Sequence, residues 1–118
     1  MVNKRRTPRF SCRLRVRYQD RTHVEHIACT ADISSMGIFV PTQQLEHVGR
    51  KLEVITSLPE GEVRLQGIVA WSMNTAERQA KNELSAGFGV QVTQAPELWY
   101  RYCRGIEYVA AHANTSAA

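Results

Sequence analysis

Apolar and polar side chains alternate with a period of two along most of this chain, and the period changes once, near the C-terminus. In "CRLRVRYQD" (12–20), Leu14, Val16 and Tyr18 alternate with Arg13, Arg15 and Arg17, which predicts a half-buried strand with its arginines in water. A second strand is expected over 24–33, "VEHIACTADI". A short third, "MGIFVP" (36–41), is entered at a glycine and stopped by a proline. "QQLEH" predicts one helical turn before Gly49. "KLEVITSL" (51–58) reads as a strand ended by a turn at Pro59–Gly61, and 62–73 alternates again. The polar stretch "NTAERQAKNEL" has no apolar face and reads as a loop. "SAGFGVQV" (85–92) is the last strand, where Gly87 and Gly89 point to a bulge or a close backbone approach, for strand curvature rather than ligand contact.

Beyond Pro96 the period becomes helical, through Leu98, Trp99, Tyr102, Ile106 and Val109, with the proline well placed at a helix start. The expected fold is all-β with a C-terminal helix: a small six-stranded antiparallel β-barrel with one opening covered by the helix. Its expected parts are a flexible basic switch segment (1–10), the barrel with its helix (11–111), and a disordered tail (112–118).

With 118 residues, 43% of them hydrophobic and 22% charged, the chain has room for one ordinary globular domain. Charge changes the picture through its placement. Of 15 Lys and Arg residues, Lys4, Arg5, Arg6, Arg9, Arg13, Arg15, Arg17 and Arg21 fall in the first 21 positions, against Asp20 as the one acid. Arginine predominates there, and its planar fork grips phosphate oxygens or a base edge and stacks on flat rings. No apolar run is long enough to span a bilayer and no signal-peptide core is present, so a cytoplasmic protein without membrane association is expected. The odd set Cys12, Cys29 and Cys103 is then expected to be reduced.

The second candidate feature is "DISSMG". Asp32 and Ser34, two apart on a strand, point to one side, and Gly37 can take a positive φ, letting the chain turn tightly and bring N–H groups forward. Alone, such a triplet reads equally as turn chemistry. Together with "RRTPR" it makes a different demand. Arg5 and Arg9 can take phosphate oxygens and the O6/N7 edge of guanine, and Asp32 accepts from guanine N1–H and N2–H₂. Ser34 serves a phosphate or an amine.

On these residues the chain resembles a stand-alone PilZ domain, the bacterial receptor module for cyclic di-GMP. The family carries R-x-x-x-R on an N-terminal segment, here Arg5 and Arg9 with Arg6 completing the doubled spelling. It carries D/N-x-S-x-x-G on the barrel, here Asp32, Ser34 and Gly37. "TSLPEG", "GIVAW" and "GFGVQV" resemble later segments of the family, and Met36 occupies a position the motif leaves free. The resemblance runs from about Lys4 to Val92 and extends to the helix. It implies an arm that folds over the barrel wall on binding, with Arg5 and Arg9 clamping the nucleotide against Asp32 and Ser34. Lys4 is a further contact that hints at a stacked nucleotide pair. Trp71 reads equally as a border to the guanine and as a rim or core aromatic.

The implied partner is a separate, unidentified effector protein or a second copy of this chain. Two alternatives compete with this reading: an interaction module that keeps the fold without the ligand, and a single-strand nucleic-acid barrel. The intact motif residues argue against the first. Sparse aromatics not interleaved with arginines, and the carboxylate of Asp32, argue against the second. His23, His26 and Cys29 lie three apart and do not converge on a strand, so no metal site is expected, and no nucleophile–base pair suggests an enzyme.

Overall fold

The computed structural model describes residues 10–74 and 86–116. Eight strands form one antiparallel sheet: β1 (Phe10–Ser11), β2 (Arg15–Gln19), β3 (Glu25–Cys29), β4 (Asp32–Ser34), β5 (Gly37–Pro41), β6 (Lys51–Leu58), β7 (Gly61–Met73) and β8 (Gly87–Gln94). One helix, α1 (Glu97–Ser116), completes the described chain. The strand order is β1-β4-β5-β8-β7-β6-β2-β3.

The count of eight, where six were expected, has a local cause. The stretch read as one strand over 24–33 is broken into β3 and β4, and β1 precedes the strand read over 12–20. Segments 10–19 and 25–34 are the two legs of one bent hairpin. Its upper half pairs Phe10 with Ile33 and Ser11 with Asp32; its lower half runs from Arg15↔Cys29 to Gln19↔Glu25. At the bend the buried Thr30 accepts from the Leu14 N–H at 2.9 Å and donates to the Cys12 carbonyl at 2.6 Å. The bent legs carry the chain from β1, at one end of the strand order, to β2 and β3 at the other, which curls the sheet around its core.

The alternation seen in the sequence builds that core. Val16 and Tyr18, Ile38 and Val40, Leu52 and Val54, Val63 and Leu65, Phe88, Val90 and Val92 all point inward. Trp99 and Cys103 enter the same cluster from α1. Arg13 and Arg15 stand in solvent, and Arg17 lies 2.9 Å from Glu62 and 3.7 Å from Glu25. The Pro59–Glu60 turn links β6 to β7, and Gly61 takes φ +149° where its Leu58 pairing begins.

Two expectations are corrected. "QQLEH" forms no helical turn, because the Glu46 carboxylate folds inward to pair with the Arg50 guanidinium, which also donates to the Gln19 carbonyl at 3.0 Å. The helix continues to Ser116, past the boundary drawn at 111. The expected loop over 75–85 lies outside the described residues.

The β2–β3 turn is held by Asp20. Its Oδ1 accepts from the Thr22 N–H at 2.8 Å, the Thr22 hydroxyl at 2.6 Å and the Val24 N–H at 3.1 Å, and its Oδ2 meets His26 Nε2 at 2.7 Å. The Thr22 hydroxyl first, then His26, holds this carboxyl below the usual carboxylate range. A depressed acid stabilises the fold above its unfolded pKa and loses that contribution as pH falls below about 4. Asp20→Asn is therefore expected to flatten the acid limb of the melting temperature against pH, as read by circular dichroism.

Candidate functional site

The motif "DISSMG" spans β4, a two-residue turn and the first residue of β5. Asp32 pairs with Phe39, Ile33 with Ile38 and Ser34 with Gly37. Ile33 and Ile38 face the core, so Asp32, Ser34, Gly37 and Phe39 belong to the outer face. The Ser34 hydroxyl closes the turn, accepting from the Met36 N–H at 3.2 Å and lying 3.5 Å from the Gly37 carbonyl oxygen. Gly37 does not use the positive φ open to it; among the described glycines that conformation belongs to Gly49 and Gly61. Proximity favours glycine here instead, since a Cβ would sit 3.1 Å from the Val90 carbonyl oxygen, a tight contact that β8 would have to yield to.

The register then places four residues in one file across the wall. Asp32 of β4 pairs with Phe39 of β5, Phe39 with Gly89 of β8, and Gly89 with Trp71 of β7. Trp71 joins the outer file because of a bulge. Val69 pairs with Val90 inside, the ladder slips between Val69 and Trp71, and the extra residue Ala70 turns the indole outward. The Phe39 and Trp71 rings stack, with centroids 5.2 Å apart and planes 23° from parallel. They fit because the wall beneath them carries no side chains. A Cβ at Gly89 would collide with the Trp71 ring, and one at Gly87 would stand 2.5 Å from the Val40 carbonyl oxygen and 2.6 Å from the Phe39 ring. The expected close backbone approach at these glycines is thus an aromatic seat. Phe39 was missed by the sequence reading, because only the strand pairing sets it between Asp32 and Trp71.

The remaining predicted site residues, Lys4, Arg5, Arg6 and Arg9, lie outside the described residues. The described chain begins at Phe10, whose partner is Ile33, and Ser11 pairs with Asp32 itself. The histidines of H-x-x-H-x-x-C do other work: His23 takes φ +67° in the β2–β3 turn and His26 bonds Asp20. Among the described residues no group of three or more His, Cys, Asp or Glu side chains is arranged to hold a metal ion. Nor is any described helix long and apolar enough to cross a membrane.

A family model described as the PilZ domain matches residues 3–98, a span that includes the arginine segment, the DISSMG turn and the aromatic file. The chain belongs to the PilZ family. Solved structures repeat the fold. The PilZ domain of YcgR from Escherichia coli with c-di-GMP has a TM-score of 0.66 at 13% identity, with 98% of each chain covered. The K. pneumonia MrkH–c-di-GMP complex has a TM-score of 0.71 at 18% identity, covering 99% of this chain and 57% of that one. The Bacillus subtilis inhibitor of motility (MotI/DgrA) has a TM-score of 0.70 at 20% identity, covering 91% of this chain and 53% of that one. This PilZ chain therefore spans about half the length of the latter two proteins. No curated protein matches it in sequence.

Proposed function

We propose that this PilZ chain is a cyclic di-GMP receptor and adaptor, rather than an enzyme, that changes shape on binding and signals to a separate effector protein in the bacterial cytoplasm. One observation carries the reading: the β1–β4 register roots the arginine arm beside the acid it must face. Ser11 is paired with Asp32 and Phe10 with Ile33. The residue before Phe10 in sequence is Arg9, and the residue after Ile33 is Ser34. Arg5 is five residues from Phe10, so at about 3.3–3.6 Å per residue its backbone has a reach of up to about 18 Å from the wall's edge.

The chemistry rests on that placement. Asp32 accepts from the guanine N1–H and N2–H₂, while the flat Phe39–Trp71 pair in the same file borders the base. Arg5 and Arg9 close over the ligand, neutralise its two phosphates and stack on the exposed guanine face, with Arg6 and Lys4 adding positive charge. The ordered arm and the wall beneath it form a surface absent from the unliganded chain, which an effector or a second copy reads. Support comes from the family membership and from the c-di-GMP complexes of two structural neighbours.

Calorimetric titration of the purified chain with cyclic di-GMP is the test. Saturable binding that weakens as salt is raised is expected, with cyclic di-AMP, which lacks the guanine donors, much weaker. Salt-dependent binding of oligonucleotides with none of cyclic di-GMP would instead favour the single-strand barrel.

A further inference from the structure

The turn that carries Ser34 is tied to the helix by a hydrogen bond from a buried side chain. Trp99 lies in the first turn of α1 and is among the largest side chains wholly removed from solvent, at 0% exposure. An indole N–H is a donor with no acceptor function, so a buried one must find an oxygen. The oxygen it finds is the Ser35 carbonyl, at 3.2 Å and 64 positions away in sequence. Ser35 stands between Ser34 and Met36 at the tip of the β4–β5 turn.

That tip is held from three directions. From within, the Met36 N–H donates to Ser34 Oγ at 3.2 Å. From β8, the Val92 N–H donates to the Met36 carbonyl at 2.8 Å. From α1 comes the Trp99 bond. The three successive residues Ser34, Ser35 and Met36 are thus fixed to the turn itself, the helix and the sheet. The helix beyond this anchor is less enclosed: Tyr108 and Val109 are 65% and 67% exposed. An element packed at one end and open toward the other is suited to carry a displacement outward.

We propose that Trp99 is a positioning residue for the ligand-binding turn, setting the orientation of Ser34 and coupling that turn to α1. The proposal rests on the reading of Asp32 and Ser34 as ligand contacts. With the Ser35 carbonyl held by Trp99, a ligand that shifts the turn shifts the start of α1 with it. By reciprocity, a partner that shifts α1 shifts the ligand affinity by the factor with which ligand shifts the partner's.

The test compares Trp99→Phe, which keeps a large buried ring and removes the N–H, with Leu98→Ala, which trims α1 packing on the side that faces Gly61 of the β6–β7 turn. Melting temperature, cyclic di-GMP affinity and amide exchange of Met36 and Val92 in ligand-free protein are read for both. Trp99→Phe is expected to weaken binding by about tenfold, the cost of one well-placed hydrogen bond, and to speed exchange at both amides. Leu98→Ala is expected to lower the melting temperature with affinity and exchange at those amides unchanged. Equal affinity for Trp99→Phe and wild type, or equal losses in the two variants, overturns the proposal. Should wild type itself fail to bind cyclic di-GMP, the function reading falls, and the exchange rates alone decide whether Trp99 orders the turn.

Discussion

Replacing Arg9 by alanine is expected to weaken cyclic di-GMP binding about a hundredfold, and Arg5→Ala by a similar factor, while Arg13→Ala stays within about twofold of wild type. A guanidinium that holds a phosphate through two charge-assisted hydrogen bonds contributes about 3 kcal/mol, because both bonds and the screened attraction go at once. Arg13 carries the same charge and lies four positions after Arg9, yet it stands exposed on the segment between β1 and β2. The comparison separates a clamp from a general positive field. A field would make the three substitutions equivalent, each removing one charge of a net +4. Titration calorimetry at two salt concentrations reads the difference. Wild-type affinity in Arg9→Ala removes the clamp from the mechanism.

The second large effect lies beneath the aromatic file. Gly89→Ala is expected to destabilise the fold by about 2 kcal/mol and to weaken ligand binding, since the added methyl displaces the Trp71 ring from the wall. The cause can be isolated. In a Trp71→Ala background the obstructing ring is absent, so Gly89→Ala should then cost well under about 1 kcal/mol, and a double-mutant cycle by urea denaturation should show strong non-additivity. Additive losses would mean that backbone entropy or strand bending, rather than the ring, is what Gly89 serves. Gly87→Ala makes a useful contrast. Its methyl meets the Val40 carbonyl oxygen as well as the Phe39 ring, so removing a ring does not restore stability there.

The two glycines also show where sequence reading runs out. Alternation marked every long strand, because inward Val, Leu and Ile positions are set by the pleat alone. It did not mark the bend at Thr30, where a hydroxyl takes a backbone donor and a backbone acceptor that straight strands would have paired. It did not mark Phe39 either, since that residue sits in an apolar run and only the β5–β8–β7 register shows which of its neighbours faces out. The bulge at Ala70 settles whether Trp71 points in or out, and a one-residue slip leaves no trace in a hydropathy pattern. Asp32, Ser34 and Gly37 were legible as a motif. The physical reason for Gly37 was not, because a carbonyl of β8 that approaches it is 53 positions away in the chain (90 − 37).

The arm is rooted in a strand of only two residues at the end of the sheet order, whose pairing the Cys12 N–H to Ala31 carbonyl bond at 3.1 Å extends by one step before the register shifts at Thr30. Such a joint can peel while β2 and β3 stay zipped. A heat or urea scan that tracks the bulk of the molecule would then pass over its detachment in silence, and a probe attached at Ser11 would register a separate, earlier event.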